Sequence, residues 1–190
     1  VICDMSSDIF SRNFDVNDFD LIYAGAQKNL GPAGATLVII KKNSIKANKN
    51  LPSYLDYKNH IDKKSMFNTP PVFSIYVSLL TLRWLDKIGG ISVIEAANTK
   101  KAKLLYNEID RNHLIEGYSV KTDRSMMNVT FSINDLKMQN KFNEMCNENG
   151  IVGIKGHRSV GGFRASIYNA MNFESVEILV EIMKELEKKI

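Results

Sequence analysis

The hydrophobic pattern of the first forty residues predicts three strands separated by polar or glycine-rich loops. Short apolar runs occupy residues 1–5, 21–25 and 36–40, and such runs between turn signals are typical of strands. The third run reads as a fully buried strand, because apolar residues follow one another without alternation. The chain begins inside an apolar run and has no initiator methionine, so we expect it to be the later part of a longer protein.

The remaining pattern predicts alternating helices and strands. Pro70 and Pro71 forbid helix immediately before them, and apolar residues then recur at helical spacing until Gly89 and Gly90. Residues 41–64 read as irregular, and the glycine pair is the best domain boundary. Beyond it, helices are predicted near residues 92–112, 135–150 and 173–188, and strands at residues 127–133, 151–154 and 163–168.

The composition indicates a globular protein and gives no sign of a nucleic-acid or membrane partner. Hydrophobic residues make up 44%, charged residues 24%, and the formal net charge is +4. The lysines are scattered, so we predict no nucleic-acid partner. No apolar run approaches the roughly 20 residues of a membrane span, so we predict no membrane association. Cys3 and Cys146 favour a reducing, cytoplasmic location over a disulfide framework, and no histidines stand at metal-ligand spacing, so no metal site is predicted.

Lys28 lies in a run of small residues, YAGAQKNLGPAG at residues 23–34. The small side chains leave room for a bulky group, and the apolar flank at residues 21–23 could exclude water from the amine. A lysine amine in dry surroundings is more often uncharged and then attacks carbonyls. This is the chemistry by which a lysine attaches pyridoxal phosphate. The alternative is an ordinary solvated loop lysine.

Asp4 stands at the end of the first predicted strand. If the first two strands are near neighbours in one sheet, Asp4 and Lys28 reach the same edge, where α/β ligand sites usually form. A carboxylate at that edge could keep a pyridine nitrogen protonated, which makes the ring a strong electron sink. The alternative is a turn or capping aspartate beside Ser6 and Ser7.

A second group of candidate residues lies in the segment GHRSVGGFR, residues 156–164. Its glycines allow backbone amides to approach an anion, and Arg158 and Arg164 can each bind carboxylate or phosphate with two hydrogen bonds. His157 adds a donor when it is protonated. The alternative is a basic surface hairpin in which the glycines only form turns.

Asn68 and Thr69 stand just before the predicted helix that follows Pro71. An amide and a hydroxyl at a helix N-terminus are well placed to bind a phosphate group. The alternative is that the two residues only cap the helix.

These segments together resemble the phosphoserine aminotransferases, a family of class-V, fold-type I pyridoxal phosphate enzymes. The resemblance implies an α/β fold. Residues 1–89 would be the C-terminal part of the large cofactor-binding domain, a mostly parallel sheet with helices, and residues 90–190 a small α+β C-terminal domain. The matching segments cover nearly the whole chain in order: residues 4–9, 23–29, 31–34 and 65–71, the helix end from Trp84 to Gly90, and residues 156–170.

The resemblance implies a role for each cofactor-binding residue. Lys28 would attach pyridoxal phosphate and move the proton between the substrate Cα and the cofactor. Asp4 would pair with the pyridine nitrogen, and Gln27 would contact the cofactor near its phosphate. Asn68 and Thr69 would bind the cofactor phosphate of a neighbouring subunit, so the resemblance implies a homodimer with shared active sites.

The resemblance also implies the substrates. Arg164 would bind the substrate α-carboxylate, and His157 and Arg158 the substrate's phosphate or side-chain carboxylate. The implied reaction is reversible amino transfer between O-phospho-L-serine plus 2-oxoglutarate and 3-phosphooxypyruvate plus L-glutamate, which serves serine biosynthesis and, in some organisms, pyridoxine biosynthesis. The family's first half is absent, so we expect residues 1–190 alone to be inactive.

Two other functions remain open at this point. One is a different class-V enzyme, such as an alanine–glyoxylate aminotransferase or a cysteine desulfurase relative. The other is a non-catalytic fragment that binds anions.

Overall fold

The structure is a computed structural model that describes residues 1–45, 50–157 and 159–189. The chain divides into two compact units, Val1–Ile91 and Ser92–Ile190. The assignment of residues 1–89 and 90–190 to a cofactor-binding domain and a C-terminal domain stays a prediction. None of the helices among the described residues combines the length and the hydropathy that a membrane span requires.

The first unit contains a mixed three-stranded sheet in the order β1-β2-β3. Strand β1 (Ile2–Asp4) runs parallel to β2 (Leu21–Gly25), and β2 runs antiparallel to β3 (Thr36–Ile40). All three predicted strands are therefore confirmed. The prediction that the third is fully buried is wrong, since its residues are exposed or half-buried. In the described part of the chain, β3 pairs only with β2, so it is an edge strand.

Among the described residues of the first unit, two α-helices follow the sheet. Helix α2 (Val72–Lys87) begins directly after Pro71 and ends before Gly89, as the prolines and glycines predict. Helix α1 (Tyr57–Asp62) lies in the segment that the sequence pattern left irregular. It forms because Asp56 caps it, accepting a hydrogen bond from the Lys58 N–H at 2.9 Å.

The loop that carries Lys28 packs closely against α2. The Ser74 hydroxyl donates a hydrogen bond to the Ala33 carbonyl at 2.8 Å. Gly34 has a φ of +114°, and a Cβ there would lie 2.7 Å from the Ser74 Oγ. A side chain at residue 34 would thus meet both backbone strain and a steric clash, so glycine is required where the loop meets the helix.

The second unit is a small antiparallel sheet with helices, and the predicted helices are confirmed. The sheet has the order β4-β5-β6, and β5 alternates buried and half-buried residues as predicted. In its core the rings of Phe131 and Phe163 stack, and the Phe142 ring contacts both of them edge to face. The elements are α3 (Gly90–Arg111), β4 (Ile115–Gly117), β5 (Asn128–Ile133), α4 (Leu136–Glu148), β6 (Phe163–Ser166) and α5 (Phe173–Glu187).

The predicted strand at residues 151–154 is wrong. These residues are irregular, and Gly153 has a φ of +73°, which lies in the left-handed region rather than in the extended region of a strand. The next residue, Lys155, forms an isolated bridge to Phe163. Conversely, the sequence pattern missed β4, which has 3 residues and is too short for alternation to be detected.

Lys101 is buried in α3 and fixes the turn that follows β6. Its Nζ donates to three main-chain carbonyls of that turn, while Asn98 Nδ2 donates to Asn169 Oδ1 at 2.8 Å. Burial lowers the pKa of Lys101 to about 8. The carbonyls are those of Ile167 at 3.1 Å, Tyr168 at 2.8 Å and Met171 at 3.0 Å.

The buried Lys101 predicts a gain of stability at alkaline pH. Its pKa of about 8 in the folded protein lies below the ordinary value of 10.5, so between these values the unfolded chain binds more protons than the folded one, and stability rises with pH. Between about pH 7 and about pH 9.5, the unfolding free energy of the complete wild-type protein should rise by about 1–2 kcal/mol more than that of the Lys101→Met variant. Urea denaturation of both proteins at the two pH values measures this difference. A difference that stays constant with pH would contradict the assignment.

Candidate active site

The parallel pairing of β1 with β2 brings Asp4 and Lys28 to the same edge of the sheet. Asp4 is the last residue of β1, and its register partner in β2 is Tyr23. Lys28 follows shortly after the end of β2 at Gly25. Because parallel strands end at the same edge, the carboxylate and the amine lie at that edge, near enough for the Lys28 charge to act on Asp4. The prediction that the two groups share one edge is therefore confirmed.

A short turn after β1, residues 5–9, holds both groups, and we name it the serine turn. The Ser6 N–H donates to Asp4 Oδ1 at 2.8 Å, and the Gly25 N–H donates to Ser6 Oγ at 3.0 Å. Lys28 Nζ donates to Ser7 Oγ at 3.0 Å. The serine turn therefore touches the carboxylate on one side and the amine on the other.

Asp4 is an anion at neutral pH. The Ser6 hydroxyl, followed by the Ser6 N–H, holds the pKa of Asp4 below its ordinary value of 3.8, and the Tyr23 hydroxyl and the Lys28 charge add to this effect. In return, the Asp4 carboxylate raises the pKa of Tyr23 above 10.0, so Tyr23 remains a protonated donor. The alternative that Asp4 serves only as a turn residue accounts for the Ser6 contact but not for the position of Lys28.

The apolar flank does not exclude water from the Lys28 amine. Both Lys28 and Gln27 are exposed, so this prediction is wrong for the described residues. The reason is the alternation of β2, which directs Ile22 and Ala24 into the core below the sheet. Any exclusion of water from Lys28 must therefore come from groups other than its own flank.

Asn68 and Thr69 do not cap the helix that follows them. The N-cap of α2 is Pro71, and no side chain makes a capping hydrogen bond there. Both side chains are exposed, and Asn68 Nδ2 donates to the Thr69 carbonyl at 3.1 Å. The capping alternative is therefore wrong, and the amide and hydroxyl face solvent.

In the second unit, Arg164 lies on β6 and His157 in the preceding loop. Both side chains are exposed, and Arg158 lies outside the described residues. The loop closes through a hydrogen bond from the Gly156 N–H to the Gly162 carbonyl at 2.9 Å. A Cβ at Gly156 would clash with the Gly161 carbonyl oxygen, so the backbone approaches itself too closely there for any other residue.

The hydrogen bonds of His157 define which ring nitrogen can meet a ligand. The Ser159 N–H points at Nδ1 at 3.3 Å, and the Ser159 hydroxyl lies 2.8 Å from the same nitrogen. Since an N–H group only donates, Nδ1 is the acceptor and Nε2 carries the hydrogen. In this arrangement the imidazole presents an N–H donor to solvent, which suits an anionic ligand.

Arg164 also borders a cavity that the sequence did not reveal. The cavity has a volume of about 320 Å³ and is bounded by the loop after α4, by β6 and by the first turns of α5. Its walls combine apolar residues such as Ile151 and Leu179 with Ser175. Because separate segments build it, no local sequence signal could have predicted it.

Comparisons with known proteins agree with the resemblance seen in the sequence. The family described as aminotransferase class-V matches residues 1–179. The phosphoserine aminotransferase of Flavobacterium psychrophilum is 60% identical over 191 residues, which cover 100% of this chain and 54% of that protein. The chain thus spans about half the length of the curated relatives it matches.

Two solved structures match the described fold closely. The phosphoserine aminotransferase from Bacillus circulans subsp. alkalophilus has a TM-score of 0.93 and 45% identity, over 99% of this chain and 53% of that one. The pyridoxal phosphate-bound phosphoserine aminotransferase from Trichomonas vaginalis has a TM-score of 0.89 and 38% identity, over 96% of this chain and 53% of that one. The α/β fold of that enzyme class is therefore the fold of this chain.

The hydrogen bonds of the serine turn predict a measurable change in the acidity of Asp4. In Ser6→Ala the hydroxyl contact is lost while the backbone N–H remains, so the Asp4 pKa should rise toward 3.8. Carboxyl-carbon NMR titration of the complete protein measures this pKa. Asp110, whose pKa is held low by the hydrogen bond from Arg124 in the second unit, is the control and should keep its wild-type pKa. An unchanged Asp4 pKa would show that the hydroxyl does not set it.

Proposed function

Because this chain belongs to the aminotransferase class-V family, we propose that the complete protein is a pyridoxal phosphate-dependent phosphoserine aminotransferase. It interconverts O-phospho-L-serine plus 2-oxoglutarate with 3-phosphooxypyruvate plus L-glutamate, a reaction of serine biosynthesis. The observation that carries the proposal is the presence of Asp4 and Lys28 at one edge of the β1–β2 sheet. Since the chain spans about half the length of its relatives, residues 1–190 act only together with the rest of the protein.

The residues at this edge fit pyridoxal phosphate. The cofactor has an aldehyde for an amine and a ring nitrogen for a carboxylate, and when bound it supplies an electron sink for the substrate Cα. Asp4 is anionic and solvent-facing, so it can keep the ring nitrogen protonated. Lys28 is solvent-facing as well, and the serine turn aims its amine at the same edge.

Lys28 has two tasks in this proposal. Its amine would hold the cofactor through the aldehyde carbon before the substrate arrives, and as a free amine it would carry a proton to and from the substrate Cα. A lysine suits both tasks, because its long stem can reach two positions and its amine can gain or lose a proton.

The other cofactor contacts imply a homodimer. Gln27 lies beside Lys28 and contacts the cofactor near its phosphate. The exposed amide and hydroxyl of Asn68 and Thr69 bind the cofactor phosphate of the neighbouring subunit, so the active sites are shared. Their failure to cap α2 supports this role, since the polar groups remain available.

Charge matching determines the substrate. Arg164 binds the α-carboxylate, while His157 and Arg158 bind the phosphate or the second carboxylate. The outward N–H of His157 supports this assignment. An arginine can make two parallel hydrogen bonds to a carboxylate. Since Arg164 binds one anionic group and the pair His157 and Arg158 binds another, substrates with two anionic groups are favoured. Cys3 and Cys146 are free thiols, which supports a cytoplasmic location.

Borohydride reduction tests the attachment of the cofactor to Lys28. Reduction of the complete protein should fix a phosphopyridoxyl group on Lys28, and peptide mass spectrometry should locate it there. Lys28→Arg should carry no adduct and should lose transaminase activity by about three orders of magnitude or more. The exposed lysine variant Lys42→Arg is the matched control and should behave as the wild type. An adduct on any other lysine would refute the role of Lys28.

A substrate panel tests the role of the second unit. Arg164→Gln should lower kcat/KM for O-phospho-L-serine and for L-alanine alike, by about 10- to 100-fold, because both carry an α-carboxylate. His157→Ala should lower kcat/KM about tenfold for O-phospho-L-serine only. Steady-state kinetics of the complete protein measures both. A wild type that prefers L-alanine or L-cysteine to O-phospho-L-serine would point to a different class-V enzyme.

A further inference from the structure

We propose that Ser7 is a positioning residue that holds the Lys28 amine whenever that amine is not bonded to the cofactor. The proposal rests on the proposed function of Lys28 and adds a residue to that machinery. In the sequence, Ser7 stands out only as a neighbour of Asp4 in a turn. The structure gives it a direct contact with the amine instead, since Lys28 Nζ donates to Ser7 Oγ at 3.0 Å.

Ser7 is itself fixed from the loop that carries Lys28. Asn29 Nδ2 donates to the Ser7 carbonyl at 3.2 Å and to the Ile9 carbonyl at 3.4 Å. Asn29 is buried, and the Ile9 N–H closes the serine turn by donating to the Met5 carbonyl at 2.8 Å. Two adjacent side chains, those of Lys28 and Asn29, therefore reach the same serine. The main chain of Ser7 is therefore held in place, and its hydroxyl accepts the hydrogen bond at the end of the flexible lysine stem.

The position of Ser7 also keeps the free amine near the carboxylate. Ser7 follows Ser6, whose N–H donates to Asp4 Oδ1 at 2.8 Å. The serine turn therefore contains both the residue that contacts the Asp4 carboxylate and the residue that contacts the Lys28 amine. The Lys28 side chain is exposed, and without a partner its four-carbon stem would sample many conformations. Ser7 restricts these conformations to the edge where the substrate reacts.

The contact with Ser7 exists only in part of the reaction. If the uncharged amine bonded to an aldehyde carbon, its two hydrogens would leave with the aldehyde oxygen as water, and Nζ would no longer donate to Ser7. If a substrate amine then took its place on that carbon, the two hydrogens of the substrate nitrogen would pass to Nζ, which could donate to Ser7 again. Ser7 therefore acts on the steps in which Lys28 is free, which affect kcat rather than the affinity for substrate.

The test compares Ser7→Ala, Ser7→Thr and the control Ser44→Ala in the complete protein. The first readout uses protein freed of cofactor: a brief pulse of acetic anhydride, followed by mass spectrometry, gives the labelling of Lys28 relative to the exposed Lys87. Loss of the hydrogen bond frees the amine, so Ser7→Ala should label Lys28 about threefold faster than the wild type. Ser7→Thr keeps a hydroxyl and should label as the wild type, as should Ser44→Ala.

The second readout is steady-state kinetics of the loaded enzyme. Ser7→Ala should lower kcat about tenfold while KM for L-glutamate stays within about twofold, and Ser7→Thr should restore most of kcat. Equal labelling of Lys28 in Ser7→Ala and the wild type would overturn the proposal. So would a labelling change without loss of kcat, or a loss that threonine does not restore. Failure of the proposed function is distinct from these outcomes, because the wild type would then lack the borohydride adduct on Lys28.

Discussion

The candidate site depends on one constraint, the parallel register of β1 against β2. With Ile2 opposite Leu21 and Asp4 opposite Tyr23, the two strands end at the same edge, and Asp4 meets the loop that carries Lys28. The register follows from burial, because Ile22 lies in the core of the first unit and a slip by one residue would turn it toward solvent. Apolar packing, rather than the attraction between carboxylate and amine, therefore positions the chemical groups.

The serine turn converts this proximity into a defined arrangement. It supplies an N–H and a hydroxyl to Asp4 and a second hydroxyl to Lys28, so opposite charges stand at one edge without neutralising each other in a direct ion pair. Each of the two charged groups is exposed and is held by its own hydrogen bonds, so each can bind a different atom of one ligand. A cofactor with an aldehyde and a basic ring nitrogen needs an amine and a carboxylate at such a distance from each other. The arrangement of Lys28 and Asp4 therefore agrees with the family to which the chain belongs.

The sequence predicted β1, β2, β3, β5 and β6, the long helices and the placement of Asp4 and Lys28 at one edge of the sheet, because these follow from periodicity and from the rule that parallel strands end together. It could not predict α1, a capped helix of 6 residues in a polar segment. Nor could it predict the irregular backbone at Gly153, where a positive φ interrupts an apolar run. It wrongly placed Lys28 in a dry niche, since the alternation of β2 turns the neighbouring apolar side chains inward. Lys101 was also missed, because its partners are main-chain carbonyls far along the chain.

In the proposed active site, one pyridoxal phosphate ring touches both Asp4 and Lys28. A crystal structure of the complete protein with the cofactor would test this arrangement. We expect continuous electron density between Lys28 Nζ and the aldehyde carbon, and an Asp4 oxygen about 2.6–3.0 Å from the ring nitrogen. Density that joins the cofactor to another lysine, or an Asp4 carboxylate out of reach of the ring nitrogen, would contradict it.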